Sequence, residues 1–200
     1  MDCYIIHYTK NINRKNYLEE NILPKLKEKY IKNFFWITDF DRETPFIQAI
    51  PTTHTTSGNL SCNKKHYEAW KLFGESGEDY CLILEDDVLF EKGIDFTKEF
   101  ENVLRLKKED DILISIGSGI QRHGKKKGMN KEKDGRCTDS YILHKSFVPL
   151  FNGHEEYTLN IGHYMNRIMK KANKMWTWYE PTIFTQGSQN GTYSTDIRDY

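Results

Sequence analysis

The chain has 200 residues, 38% hydrophobic and 29% charged, a composition that is ordinary for a globular protein and excludes a disordered one. A chain of this length buries roughly two thirds of its unfolded surface, so we predict a single domain spanning residues 1–200. Its 29 basic and 29 acidic residues cancel, which excludes long-range attraction of nucleic acid or an anionic membrane. No segment approaches the roughly 18 apolar residues of a membrane span, so we predict a cytoplasmic protein without a transmembrane anchor, from a bacterium or a virus-infected host cell.

Apolar, β-branched and aromatic runs alternate along the chain with segments of helical spacing. The predicted strands are Cys3–Tyr8, Asn33–Thr38, Tyr80–Leu84, Ile112–Ile116, Ser140–His144 and Thr182–Thr185. The predicted helices cover Leu18–Tyr30, His66–Phe73, Phe96–Leu104 and Leu159–Met169, and Pro24 should kink or restart the first. Several strands are continuously apolar, which favours burial on both faces. We therefore predict a single-domain α/β fold with an open, mostly parallel sheet flanked by helices.

The segment from about residue 121 to 136 differs from the rest of the chain. It contains three glycines, many cations and almost no apolar residues, a composition typical of a mobile surface loop. The loop is either simply solvated or a basic flap that closes on a phosphate-bearing ligand.

Three consecutive carboxylates, Glu85, Asp86 and Asp87, follow the apolar run that ends at Leu84. In an open α/β sheet, ligands bind at the carboxyl ends of strands. Adjacent carboxylates raise one another's pKa values unless a cation neutralises them, and a divalent ion with oxygen ligands does so. Since side chains alternate along a strand, Glu85 and Asp87 point the same way. The pattern indicates either a Mn²⁺ or Mg²⁺ site at these two residues or an acidic junction that caps the next element.

Further residues precede this cluster in a recognisable order, namely Gly58, Cys62, His66 and Trp70. Together with Leu82–Val88 they resemble the pattern of family 25 glycosyltransferases, which include bacterial lipooligosaccharide galactosyltransferases and relatives of procollagen galactosyltransferases. Weaker similarities extend the resemblance over nearly the whole chain, at Tyr4–Thr9 with Arg14, Thr138–His144, and Glu180–Gln186 with Ser194. Ser61 and Lys65 depart from the pattern, where the family usually has a glycine and a serine.

The resemblance implies a GT-A fold, a nucleotide-sugar donor, an inverting mechanism and a Mn²⁺ or Mg²⁺ ion held by the acidic motif. In that frame Asp87 is the principal metal ligand, Glu85 contacts the donor ribose or the metal, and Asp86 orients the cluster on the donor side. The predicted reaction moves a hexose, galactose or glucose, from a UDP-sugar to a hydroxyl of a glycan, a lipid-linked glycan or a glycoprotein.

Other residues are candidates for donor binding, each with a structural alternative. Arg14 either binds a diphosphate through its guanidinium or is an ordinary surface arginine. Asp39 either accepts a hydrogen bond from a nucleobase or ribose, or is a turn-forming aspartate. His66 lines the donor pocket or packs beside Trp70, one turn away. Two further candidates are Thr9, after the first strand, and Gln186, which begins a polar loop that either contacts phosphate, completes the metal shell or is an ordinary turn.

The catalytic base is the least defined part of the predicted site, because the proline-valine-aspartate that usually precedes the last long helix is missing. Glu155 and Glu156 lie in that part of the chain. Either one of them removes the proton from the acceptor hydroxyl, or both are only stabilised by the dipole of the helix that follows. Asp139 is the reserve candidate. Two rival interpretations stay open: a catalytically silent relative that binds glycan or protein, and another metal-dependent enzyme acting on nucleotides or phosphates.

Overall fold

The computed structural model describes residues 1–27, 29–51, 55–117, 126–135 and 137–195. Its strands are β1 (Asp2–Ile6), β2 (Phe34–Ile37), β3 (Tyr80–Glu85), β4 (Val88–Phe90), β5 (Leu113–Ser115), β6 (Gly128–Glu132), β7 (Ser140–His144), β8 (Trp176–Glu180) and β9 (Phe184–Gln186). Its α-helices are α1 (Ile12–Tyr17), α2 (Leu23–Lys27), α3 (Pro45–Gln48), α4 (Ser57–Glu75), α5 (Phe96–Leu106), α6 (Val148–Phe151) and α7 (Ile161–Lys171). A π-helical turn, Leu18–Ile22, joins α1 to α2, and a 3₁₀ turn, Lys145–Phe147, precedes α6.

Seven strands form one mixed sheet in the order β2-β1-β3-β7-β5-β8-β6. β1 pairs in parallel with β2 and β3, and β5 pairs in parallel with β8, whereas β7 and β6 run antiparallel to their neighbours. Helices cover both faces of this sheet. The predicted α/β fold with a mostly parallel sheet is therefore confirmed, and the parallel strands all present their carboxyl ends on one side.

The central strand β3 is continuously apolar because it is covered on both faces. Cys81, Leu82, Ile83 and Leu84 are inaccessible to solvent. Cys81 and Ile83 belong to a core shared with α4, α6 and α7, whereas Leu82 and Leu84 belong to a second core shared with α2 and α5. Full burial of one such side chain contributes roughly 1.5–3 kcal/mol relative to exposure. The strand that ends in the acidic cluster is therefore held firmly at the centre of the molecule.

The helix boundaries follow local capping. Thr56 is the N-cap of α4 and accepts a hydrogen bond from the backbone N–H of Asn59. Asn160 is the N-cap of α7 and accepts one from the backbone N–H of His163. Pro24 has no N–H to donate, and the π-helical turn ends at Ile22, just before the short helix that contains this proline. The first helix is thus irregular where the sequence predicts a kink or restart.

The segment 121–136 differs from the predicted loop. Residues 121–125 and 136 lie outside the described part of the chain, but Gly128–Glu132 is the strand β6, paired antiparallel with β8. Main-chain pairing requires no apolar alternation, and charged side chains such as Lys131 are suited to an exposed sheet edge. Composition therefore predicted a loop where the structure has an edge strand.

A second, two-stranded sheet joins β4 to β9, with Val88 opposite Gln186. The pairing carries the loop after β9 to the acidic cluster that immediately precedes β4. Within the ranges that the structure covers, no helix combines the length and the apolar character needed to cross a bilayer.

Candidate active site

A cavity of about 280 Å³ opens at the carboxyl ends of β1 and β3. Its wall comprises those strand ends, the first turns of α4 and α7, and the loop that follows β9. Ligands of open α/β sheets bind on this side of the sheet. Of the predicted site residues, the cavity brings together Arg14, Glu85, Asp86, Asp87 and Gln186.

Asp86 is fully engaged by protein partners. Its Oδ2 lies 2.8 Å from Nδ1 of His7 and accepts a 3.0 Å bond from the backbone N–H of Tyr8. Its Oδ1 accepts a 2.9 Å bond from Arg14. Burial raises the pKa of Asp86, but the bonds from His7 and Arg14 outweigh burial and hold the pKa below its usual value. Asp86 therefore fastens the turn after β3 to β1 and α1.

Glu85 is held through one of its two carboxylate oxygens. Oε1 accepts a 2.6 Å bond from the hydroxyl of Thr138 and lies 3.3 Å from Nε2 of His66. Oε2 makes no hydrogen bond to any residue in the described ranges. Because Glu85 lines the cavity, this second oxygen is available to a ligand.

Asp87 carries a buried carboxylate that lacks a full set of partners. It is 3% exposed, and its Oδ2 accepts a 3.2 Å bond from the backbone N–H of Ser188. Its Oδ1 has no hydrogen-bond partner among the described residues. Burial, followed by the charge of Glu85, raises the pKa of Asp87 from 3.8 to about 6. An orphaned oxygen beside a second carboxylate suits a hard divalent cation, so the residues present fit Mn²⁺ or Mg²⁺.

His66 lies behind Glu85 rather than on the cavity. It is inaccessible to solvent, and its Nδ1 lies 2.8 Å from the hydroxyl oxygen of Tyr141, which also accepts a 2.9 Å bond from Nε1 of Trp70. The imidazole stacks on the Tyr141 ring with 5.8 Å between centroids. His66, predicted as a donor-binding residue, thus does not line the cavity but contacts Glu85, which does.

A buried ion pair joins α4 to the loop after β2. Lys65, 2% exposed, donates a 2.5 Å bond to the carbonyl oxygen of His7 and pairs with Asp41. Asp41 also accepts bonds from the backbone N–H and hydroxyl of Thr9. Thr9 and Asp39, both predicted to bind the donor, are exposed and do not line the cavity. The left-handed backbone at residue 40 turns the chain between the two aspartates, so that Asp41 is the one that faces inward.

Arg14 and Gln186 both line the cavity beside the acidic cluster. One guanidinium nitrogen of Arg14 donates to Asp86 and the other donates to the carbonyl oxygen of Ser194. Gln186 ends β9, and the N–H of the next residue donates a 2.7 Å bond to the backbone carbonyl of Asp87. The chain after β9 therefore closes one side of the cavity.

The predicted catalytic bases Glu155 and Glu156 lie off the cavity wall and before α7, not at its start. Glu155 pairs with Lys64 at 2.9 Å and with Lys71, and Glu156 pairs with Arg167 at 2.5 Å. Although burial opposes it, the bonds to Glu155, led by that from Lys71, lower its pKa to about 2. A general base works best with a pKa near the operating pH. Both carboxylates are engaged as ion-pair partners outside the cavity lining, so this geometry does not favour a role as catalytic base, and that role stays a prediction.

Asp139, the reserve base, is buried behind the acidic cluster and does not line the cavity. It is 1% exposed, and its backbone carbonyl accepts a 2.8 Å bond from the N–H of Glu85. Burial, followed by the charges of Glu85 and Asp87, raises the pKa of its carboxyl well above the usual value. Its place in the fold gives it no contact with an acceptor in the cavity.

Several cavity residues had not been singled out from the sequence, above all His7, Tyr8, Arg42 and Thr138. His7 and Tyr8 directly follow β1, so the strand-end rule that selected Glu85 also selects them. Thr138 shortly precedes the antiparallel strand β7, whose amino end lies on the same side. No sequence pattern predicts Arg42, because it reaches the cavity from a loop rather than from a strand end. Its Cζ lies 4.9 Å from the centroid of the Tyr8 ring.

The acidic turn and the cavity lie at the carboxyl side of a mixed, mostly parallel sheet, where enzymes with open α/β sheets bind their ligands. A sequence profile described as glycosyltransferase family 25, LPS biosynthesis protein, matches residues 1–173. The chain belongs to glycosyltransferase family 25, as its Gly58, Cys62, His66 and Trp70 pattern indicated. No curated protein matches the chain at a significant level.

A solved structure shows the same fold. The structure is similar to a mutant of a Drosophila β1,4-galactosyltransferase 7 in complex with manganese, UDP-Gal and xylobiose, with a TM-score of 0.58 and 10% identity over 100% of this chain and 75% of that one. It is also similar, at a TM-score of 0.41 and 12% identity over 90% and 69% of the two chains, to a UDP-glucose pyrophosphorylase from Acinetobacter baumannii. The second similarity is too low to support a structural conclusion.

Proposed function

We propose that the protein transfers a hexose, galactose or glucose, from a UDP-sugar to a hydroxyl of a glycan, a lipid-linked glycan or a glycoprotein, with inversion at the anomeric carbon. The observation that carries the proposal is the orphaned, buried Oδ1 of Asp87 beside Glu85 at the cavity. Family membership supports the transferase chemistry. The galactosyltransferase of similar fold was crystallised with manganese, UDP-Gal and xylobiose, which supports the classes of metal, donor and acceptor.

Glu85 and Asp87 would hold a Mn²⁺ or Mg²⁺ ion. When bound, such an ion neutralises the negative charge that develops on a leaving diphosphate. Asp86 acts in support, since His7, Tyr8 and Arg14 already occupy its oxygens. The acidic cluster thus divides into a pair that faces a ligand and a third carboxylate that fixes the turn.

Arg14, Arg42 and Lys65 line the cavity, and although Arg14 and Lys65 also pair with Asp86 and Asp41, the positive charge of this wall suits a donor that carries two phosphates. The ring of Tyr8 lies on the same wall and offers an aromatic surface to a nucleobase. Residues from α4, from the first turn of α7 and from the chain after Gln186 also line the cavity. The chain's own residues therefore bind and orient the donor, with the acidic pair at the end where the sugar–phosphate bond breaks.

A thermal-shift screen of nucleotide sugars, with and without Mn²⁺, tests this proposal. We expect UDP-galactose or UDP-glucose to raise the melting temperature only when Mn²⁺ is present, and Asp87→Ala to remove this shift. Glu156→Gln is the matched control, since it removes a carboxylate charge outside the cavity and should retain the shift. If no nucleotide sugar stabilises the wild type in a metal-dependent way, the transferase proposal fails. If the shift survives Asp87→Ala, the metal assignment fails.

A further inference from the structure

Four side chains form a continuous polar chain from the core to the cavity. Nε1 of Trp70 lies 2.9 Å from the hydroxyl oxygen of Tyr141, which lies 2.8 Å from Nδ1 of His66, whose Nε2 lies 3.3 Å from Oε1 of Glu85. Trp70, Tyr141 and His66 are all inaccessible to solvent. Water therefore does not compete for these bonds, and each polar atom needs a partner of the correct kind.

The direction of the protons follows from the indole. An indole N–H only donates, so the Tyr141 oxygen accepts from Trp70, and its single proton is left to donate to Nδ1 of His66. Nδ1 then carries no proton and Nε2 carries it, directed at the Glu85 carboxylate. In the opposite tautomer the Tyr141 proton would have no acceptor, and Nε2 and the carboxylate would face each other as two acceptors. One tautomer thus satisfies all the groups.

We propose that Trp70 and Tyr141 are positioning residues that lock His66 in the Nε2–H tautomer and thereby orient Glu85. His66 and Thr138 both bond to Oε1 of Glu85, so the arrangement presents Oε2 to the cavity. This inference rests on the proposed role of Glu85 at a metal-bound donor. Partners that orient metal-binding side chains in this way typically change metal affinity or activity by roughly 10–100-fold when they are removed.

The same neighbourhood admits a competing interpretation. Ligand atoms of Cys62, His66 and Glu85 lie within 4.8 Å of one another, and Cys62 and His66 are one turn apart on α4. Thiolate, imidazole and carboxylate are ligands of Zn²⁺. Such a site needs the lone pair of Nε2. That lone pair is not available when Nε2 carries the proton, as the hydrogen bonds from Trp70 to Tyr141 and from Tyr141 to His66 require. The orienting role is therefore the better supported of the two.

Proton-detected nitrogen NMR of the histidine rings tests the tautomer without any turnover, at a pH where free histidine is neutral. We expect His66, assigned by the loss of its signal in His66→Gln, to show the Nε2–H form, and to keep that form in Glu85→Gln, because Tyr141 still donates to Nδ1. A wild-type Nδ1–H tautomer would overturn the proposal. Stoichiometric Zn²⁺ binding that is lost in Cys62→Ser would overturn it as well.

The second measurement is the Mn²⁺ concentration that gives half-maximal hydrolysis of the UDP-sugar. We expect Tyr141→Phe to raise this concentration roughly 10–100-fold, with a smaller effect on kcat at saturating Mn²⁺. Tyr179→Phe is the control, because Tyr179 is a buried tyrosine that donates to Glu99 and packs in the other core. His66→Gln, whose amide still donates an N–H, should retain more activity than His66→Ala.

A Tyr141→Phe variant with the wild-type Mn²⁺ requirement, and a melting temperature lowered no more than that of Tyr179→Phe, contradicts the positioning role. Failure of the proposed function has a different signature. In that case the wild type itself shows no Mn²⁺-dependent turnover, while the NMR spectra still report whether the tautomer is locked.

Discussion

Two pairs of acidic residues in this protein have opposite environments. Glu155 and Glu156 meet Lys64, Lys71 and Arg167 directly. Glu85 and Asp87 share a cavity wall and are bonded by the hydroxyl of Thr138, the backbone N–H of Ser188 and the ring of His66, and the charge of Glu85 contributes to the raised pKa of Asp87. The first pair is neutralised by its own chain, whereas the second pair has no lysine or arginine partner among the described residues.

This contrast shows why the number of carboxylates is a poor guide to a site. Charges that the chain itself pairs stabilise the fold, and their pKa values fall. Charges that are buried without a cation cost folding free energy, and their pKa values rise. Buried, unpaired charges of this kind are therefore found mostly at functional sites, where a bound ligand interacts with them. The following predictions test this distinction.

The largest expected effect is the pH dependence of metal-free stability. Because the folded-state pKa of Asp87 is raised, its contribution to stability is fully present below the unfolded value of 3.8 and is lost as the pH rises through about 6. The loss amounts to about 3 kcal/mol for a shift of this size. Urea denaturation at a series of pH values measures it, and Mn²⁺ should restore stability at the upper end.

Asp87→Asn isolates this contribution, because Asp139 titrates in the same direction and is retained in the variant. The variant should be more stable than the metal-free wild type above the raised pKa and should gain little from Mn²⁺. If the free energy of unfolding changes with pH in the same way in both proteins, the folded-state pKa of Asp87 is not raised and the prediction is wrong.

A smaller effect is expected from Gly187→Ala, which tests how the loop after β9 holds Asp87. A Cβ at this position would lie 2.5 Å from the Tyr193 ring and 2.8 Å from the backbone carbonyl of Asp87. Overpacking of this kind costs roughly 1–3 kcal/mol. We expect denaturant unfolding to report that loss and the Mn²⁺-induced thermal shift to shrink.

Ser188→Ala is the control for the loop, because it retains the backbone N–H that donates to Asp87. It should leave both measurements near the wild-type values. An equal loss in the two variants would mean that the loop contributes to the fold but does not position the carboxylate.

The smallest effect is expected at the neutralised pair. Glu155→Gln should cost about 1 kcal/mol at neutral pH, since Lys64 retains Glu68 as a partner, and should leave UDP-sugar hydrolysis unchanged. Because the pKa of Glu155 is lowered, its contribution is present above 4.5 and is lost as the pH falls through about 2. The stability difference from the wild type should therefore vanish in acid. Loss of hydrolysis in this variant would restore Glu155 as a catalytic candidate.

Sequence patterns were sufficient to locate the main strands and the acidic cluster. Continuous apolar runs report burial on both faces, and a strand end followed by Glu85, Asp86 and Asp87 places carboxylates on the ligand side of the sheet. The edge strand β6 was missed because main-chain pairing leaves no apolar pattern in its side chains. Local composition also could not separate Asp39 from Asp41, which differ by a reversal of the backbone between them.

By itself, the sequence determined the α/β fold, the family and the position of the acidic turn, because strand and helix periodicity and motif order are properties of neighbouring residues. Only the tertiary structure decided which carboxylates are neutralised. Lys64 meets Glu155 across 91 positions and Arg14 meets Asp86 across 72, while no cation pairs directly with Asp87 among the described residues. Electrostatic energy depends on the distance between charges and on their burial, and the separation of two residues along the sequence determines neither quantity.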